Sequence, residues 1–357
     1  MNLDDYPNFA QLDSQNMLAE IDGLPDQLRV AWEMGQGLPL PTKGGIQQVL
    51  IAGMGGSAIG ADLLAAYLAP DCPLPLVVHR NYGLPGWARG PQTLVIACSH
   101  SGDTEETISA FKGAQANGCR LMVICTGGKL AREAAGAGVP AWIFGHTGQP
   151  RAAVGYSFGL LLAAAWRLGL APDPSQELAE AVRAMRAQQE GLRAEVPVVH
   201  NPAKRMAGQL VGRWVTIFGA DVLEPVARRW KGQINELAKA GAQFDSLPEA
   251  DHNTVAGVSN PEKVMGEIMA LFLRAPSYQE DIQLRADLTK KILMLEGLNT
   301  DFIDAQGEAR LAHQWTALHC GDYVAYYLAM AYEVDPTPIP AIEGFKQEMR
   351  TARQRRG

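Results

Sequence analysis

"TLVIACSHSGDTEETISAFKGAQANG", residues 93–118, passes from an unbroken apolar run through a polar loop into a stretch that reads as a helix. The apolar run shows no alternation, the pattern of a strand buried on both faces of a parallel sheet. The same strand–loop–helix form stands upstream in "QQVLIAGMGGSAIGADLLAAYL" (47–68), where a glycine turn takes the place of the polar loop. "LPLVVHRNY" (74–82) supplies another short strand, "RLMVICTGG" (120–128) begins a further unit, and "VPAWIF" (139–144) closes it. Buried strands alternating with helices predict an α/β fold, a parallel sheet covered by helices on both sides.

Residues 153–195 then turn helical, and "RWVTIFGADVLEPVARRWKGQINELAKAG" (213–241) starts the form again, with strands expected in "KVMGEIMALFLRAP" (263–276) and "DFIDAQG" (301–307). The α/β pattern therefore occurs twice. This divides the chain into an N-terminal helical segment (1–45, with a helix over 13–35), a first α/β domain (46–155), a helical connector (156–205), a second α/β domain (206–340) and a C-terminal helix or tail (341–357). At 357 residues there is chain enough for two cores of ordinary size.

Composition narrows the function. Hydrophobic residues make up 47%, which argues against disorder, and the formal net charge is −7. The only basic run is the terminal "RTARQRRG" (350–357), read as a solvated, frayed end, so no nucleic-acid partner is expected. The five cysteines include no C-x-x-C pair, which suggests neither a disulfide framework nor a zinc ribbon. The acidic start "MNLDDYPNFAQLDSQ" lacks the layout of a signal peptide, and no uninterrupted apolar stretch reaches the ~18 residues of a membrane span. A reduced, cytoplasmic, soluble protein without membrane contact is expected.

Two loops carry chemistry. "GMGGSAIG" (53–60) contains Gly53-x-Gly55-x-x-Ala58, the alanine form of the dinucleotide fingerprint, whose backbone could approach a phosphate. The acidic residue that fingerprint wants after the second strand is absent; His79 and Arg80 stand there instead. "SHSGDTEET" (99–107) offers the hydroxyls of Ser99, Ser101 and Thr104 around Gly102. Ser101 or Asp103 is placed to cap the following helix, and Glu105 and Glu106 suit its dipole. A cap accounts for one hydroxyl and the acids. Three hydroxyls in six residues beside a helix terminus suit a phosphate monoester.

In order, "GMGGSAIG" (53–60), "SHSGDTEET" (99–107), "PRAAVGYS" (150–157), "INELAKAG" (234–241) and "EADHNTVAG" (249–257) resemble the successive motifs of the bifunctional phosphoglucose/phosphomannose isomerases, of the sugar isomerase (SIS) domain superfamily. The likeness runs from about residue 45 to about residue 346. It implies two SIS-type domains, each a three-layer αβα unit. It also implies contact of Gly56 and Ser57 with the sugar phosphate, and of Ser99, Ser101 and Thr104 with its phosphate group. Arg151 would lie beside the reacting carbons, Glu236 would be the catalytic base, His252 the ring-opening group, and Lys346 in "AIEGFKQEM" (341–349) the family's C-terminal lysine. His100 stands where the family often has an aromatic residue, with its side chain expected to point away from the phosphate. A homodimer is implied, with His252 entering the partner's site.

The residues are chemically suited to an aldose–ketose isomerisation. A carboxylate can remove a proton from one carbon and return it to the next through a cis-enediol. Glu236 lies in a helical segment of apolar and small residues, where burial would raise its pKa; a solvent-facing Glu paired with Lys239 is the plainer reading. His252, between Asp251 and Asn253, can exchange a proton at neutral pH. A fixed Arg151 would stabilise an enediolate. Thr337 lies near the expected lysine and could hold a water or a substrate oxygen. The seven histidines form no ligand spacing, and His313 and His319 are six apart, so neither metal nor cofactor is expected. The reading is a metal-free isomerase for glucose 6-phosphate, and mannose 6-phosphate with it, giving fructose 6-phosphate. A non-catalytic SIS sugar-phosphate sensor and a nicotinamide enzyme are the alternatives.

Overall fold

The computed structural model describes residues 2–42 and 44–355. Its first sheet contains β1 (Gln48–Ala52), β2 (Leu76–His79), β3 (Thr93–Ser99), β4 (Arg120–Cys125) and β5 (Ala141–Ile143), in the order β2-β1-β3-β4-β5. Its second contains β6 (Trp214–Gly219), β7 (Ala242–Ser246), β8 (Ile268–Arg274) and β9 (Asn299–Asp304), in the order β7-β6-β8-β9. Every pairing is parallel. All seven residues of β3 are buried, as its unbroken apolar run requires at the centre of a covered sheet, whereas the edge strand β2 is partly exposed.

Both sheets follow the same winding, with the first strand in sequence lying second in space. The chain moves outward from β1 to β2, then returns past β1 to β3, so the loops leaving β1 and β3 part and open a crevice at their carboxyl ends. The corresponding place in the second sheet is filled. Tyr278, 4% exposed, donates its hydroxyl to Leu273 O (3.2 Å) and accepts from Ala220 N (3.1 Å) between the ends of β6 and β8. The two like topologies therefore differ in what lies between the ends of their central strands.

The expected helix over 13–35 is two helices, Met17–Asp22 and Leu24–Gly35. Pro25 has no N–H to continue the ladder, which breaks the run. Residues 156–205, read as a connector, lie largely in three helices. Val154–Arg167 packs on Leu24–Gly35 and on the helix Gly55–Leu68 after β1, while Ser175–Gln189 and Pro202–Leu210 pack on the helix Arg310–Ala331. That last helix, buried from Leu311 to Met330, also lies against the helix Glu224–Leu237 after β6 and joins the two halves into one core. Among the described residues no helix is long and apolar enough to cross a membrane. The C-terminal segment is not frayed as expected: Pro340–Gln354 is a helix, and Arg353 binds Glu105 and the Tyr82 hydroxyl. The expectation for Arg356 and Gly357 falls outside the described residues.

Candidate active site

Ser99, the last residue of β3, is 1% exposed. Its hydroxyl donates to Thr104 Oγ1 (2.9 Å) and accepts from Gly102 N (3.1 Å). Across the crevice Ser57 Oγ accepts from His100 N (3.0 Å), which pins the glycine turn to the serine loop. Neither Ser101 nor Asp103 caps the helix that follows. Ser101 Oγ accepts from Asp103 N (3.2 Å), and the Asp103 carboxylate accepts from Lys129 N (2.9 Å), capping the neighbouring helix Gly128–Gly136. The N-cap of Glu105–Ala116 is Thr104, with no side-chain bond to the helix. The first-turn N–H groups thus have no side-chain cap among the described residues.

Two glycines are fixed by close approach. Gly102 has φ +71°, and a Cβ there would lie 1.9 Å from Gly127 O. A Cβ on Gly56 would lie 2.4 Å from Pro150 O and 3.2 Å from Arg151 N. Gly56 therefore lets the short turn Pro150–Ala152 press against the glycine loop, and that turn carries Arg151.

Arg151 is 5% exposed and held rigidly. Its Nη2 donates to Pro336 O (2.8 Å) and Thr337 O, its Nη1 donates to Gln149 Oε1 (3.3 Å), and its own carbonyl accepts from Arg229 Nη2 (3.1 Å). Nη1 lies 3.8 Å from Glu236 Oε2. Burial lowers the pKa of the guanidinium, and Glu236 opposes that shift. The Glu236 carboxylate is 32% exposed, so it faces the cavity instead of being sealed in apolar surroundings. Lys239, which follows in the left-handed region at φ +54°, does not pair with that carboxylate. Its Nζ binds the carbonyls of Glu236 (3.0 Å), Leu237 (3.1 Å) and Asp335 (2.5 Å). Burial, then the Arg151 charge, pull its ammonium down to about 8.

These groups border a cavity of about 290 Å³, lined by Gly55, Gly56, Arg80, Arg151, Arg228, Arg229, Lys231, Gln233, Glu236 and Phe244 among others. Behind it lies the buried ion pair of Arg229 and Asp322 (2.6 and 3.1 Å), joined by Gln233 Nε2 to Asp322 Oδ1 (3.0 Å). Burial pushes the Asp322 carboxyl up, opposed by Arg229. Arg80, the residue a nucleotide phosphate would need, is bound to Asp62. No group of three or more His, Cys, Asp or Glu side chains that could hold a metal occurs among the described residues.

Residues 199–349 match the family model of the bacterial phospho-glucose isomerase C-terminal SIS domain. The bifunctional phosphoglucose/phosphomannose isomerase of Caldicellulosiruptor bescii is 36% identical over 93% of this chain and 98% of its own, and that of Aquifex aeolicus is 32% identical over 85% and 90%. The chain belongs to the bifunctional phosphoglucose/phosphomannose isomerase family. Among solved structures, the Escherichia coli tagatose-6-phosphate ketose/aldose isomerase superposes with a TM-score of 0.66 at 16% identity, covering 90% of each chain. A hypothetical protein of Thermus thermophilus superposes at 0.72 with 18% identity, covering 95% of this chain and 90% of that one. These likenesses carry the fold.

Within this family frame the cavity gathers Arg151, Glu236 and Gly56, with Ser57, Ser99, Ser101 and Thr104 at the adjoining crevice. Six expected site residues stand outside its lining: the hydroxyl residues Ser57, Ser99, Ser101 and Thr104, and His252 and Lys346. His252 is exposed in the short turn Glu249–His252, and Lys346 is exposed on the helix Pro340–Gln354, which has no buried residue. Thr337 is 1% exposed; its carbonyl takes Arg151 and its hydroxyl has no partner among the described residues. The His100 side chain turns to the N-terminal segment, with Nε2 2.9 Å from His146 Nδ1 and His146 Nε2 3.1 Å from Glu20 Oε2. Sequence reasoning missed Gln233, Arg229 and the clamp made by Lys239. The spacing Arg229, Gln233, Glu236 follows one helical face and could have revealed the first two; nothing local marks Asp322.

Proposed function

We propose that the chain interconverts glucose 6-phosphate and mannose 6-phosphate with fructose 6-phosphate by proton transfer through a cis-enediol, without a metal. The observation that carries this reading is the Glu236 carboxylate held 3.8 Å from the buried Arg151 guanidinium on a cavity wall shared with the glycine turn. Glu236 takes the proton from C2 of the open-chain aldose and returns it to C1; Arg151 stabilises the negative charge on the enediolate oxygen. Ser57, Ser99, Ser101, Thr104 and the uncapped helix end receive the phosphate. His252 and Lys346 serve ring opening and proton exchange with the sugar oxygens.

His252 is proposed to act in the partner of a homodimer. Its neighbour Asp251 is anchored to the helix Glu280–Leu295 through Arg285 Nη1 (2.8 Å) and Thr289 Oγ1 (2.6 Å). That helix exposes Leu284, Leu288, Ile292 and Leu295, a stripe at helical spacing that supports a subunit contact beside the histidine. The deciding experiment incubates the purified protein and a chelator with fructose 6-phosphate and assays glucose 6-phosphate and mannose 6-phosphate separately. Formation of both is expected; formation of neither overturns the proposal.

A further inference from the structure

Gln233 is 3% exposed and lines the cavity three residues before Glu236 on the same helix, where side chains are neighbours at ~5–6 Å between Cβ atoms. Its amide has a determined orientation. Asp322 accepts from Arg229 on both carboxylate oxygens and from Gln233 Nε2 at 3.0 Å. Turning the amide over would set its oxygen against a carboxylate, two acceptors face to face. Oε1 therefore points away from Asp322. It has no partner among the described residues and is not sealed from solvent, and the open space that Gln233 borders is the cavity.

We infer that Gln233 Oε1 is a specificity-determining acceptor for a hydroxyl of the sugar chain, O3 or O4, beside the carbon pair at which Glu236 acts. This rests on the isomerase reading above. The hydrogen bond of the amide nitrogen to a buried ion pair keeps the acceptor from rotating away, so a sugar lacking that hydroxyl leaves Oε1 dry and unpaired.

The test measures kcat/KM of wild type and Gln233→Met with fructose 6-phosphate and with its 3-deoxy and 4-deoxy analogues. Wild type should lose roughly ten- to a hundredfold on one analogue, and Gln233→Met should lose a similar factor on the parent sugar. The variant should then be indifferent to removal of that hydroxyl, because the two changes delete the same bond. Losses that multiply on both analogues, or a wild type indifferent to both deoxygenations, overturn the assignment; a purely structural Gln233 gives the multiplying result. Gln233→Asn, which withdraws the acceptor by one methylene, is read in the same way if Gln233→Met does not fold. A wild type inactive on fructose 6-phosphate removes the isomerase reading and this assignment together, whereas an active one with multiplying losses removes this assignment alone.

Discussion

At the scale of single residues, the proposed chemistry rests on Glu236 and Arg151, a pair whose two members are held by different parts of the chain. Glu236→Gln keeps the shape but cannot accept a proton, so kcat should fall by roughly a thousandfold or more while inorganic phosphate inhibits as before. Near-wild-type turnover in the folded variant would remove Glu236 from the mechanism. Gly56 tests the other member. A methyl group there meets Pro150 O at 2.4 Å, backbone against backbone, so Gly56→Ala must push the Arg151 turn outward. The expected cost is about 1–3 kcal/mol of stability, as for overpacking, together with a loss of kcat. A thermal melt and a turnover assay both unchanged would show that the turn has room to give.

The serine loop is a device of element size. On the proposed reading its hydroxyls bind the non-reacting end of the substrate, so Ser101→Ala with Thr104→Ala should mainly raise KM. Each lost charge-assisted bond is worth about 1.5–3 kcal/mol, not additively. If inorganic phosphate inhibits variant and wild type equally, the loop does not bind phosphate. The loop also has a pH signature. Burial first, then repulsion from His146, pull the His100 imidazole from 6.5 to about 4, with Glu20 opposing. Between those values the unfolded chain binds a proton that the folded loop refuses, so stability falls as pH drops from about 6.5 toward 4. The wild-type Tm should therefore decline more steeply over that window than the Tm of His100→Gln; parallel slopes would show that His100 titrates without penalty.

At the scale of the whole molecule, the exposed position of His252 beside an apolar helical stripe supports the proposal of shared active sites. Mixing inactive Glu236→Gln with inactive His252→Ala under subunit exchange should restore part of the activity, because some hybrid sites carry both wild-type groups. A fully active monomer in light scattering, or no recovery with exchange demonstrated, would place His252 in its own chain's chemistry. Leu288→Glu puts a charge in the middle of the stripe and should weaken association and activity together, measured by sedimentation and turnover at several protein concentrations.

The α/β class, the doubled pattern, β3 and the serine loop were legible in the sequence because their causes are local. An unbroken apolar run can only be satisfied inside a covered sheet, and the three hydroxyls around a glycine lie within six residues of one another. The helix break at Gly23–Pro25 was equally local and was passed over in favour of periodicity. What the tertiary structure alone decided are relations between distant residues. Asp103 caps a helix 26 positions on instead of its own, and Arg151 is clamped by a carbonyl 186 positions away. The difference between the two sheets also depends on such a relation, since Tyr278 bridges the ends of β6 and β8. The aim of Gln233 comes from Asp322, 89 positions along the chain, which has no neighbour in sequence to betray it. A buried polar group takes whichever partner the packing of helices brings within about 3 Å, and spacing along the chain does not encode that choice.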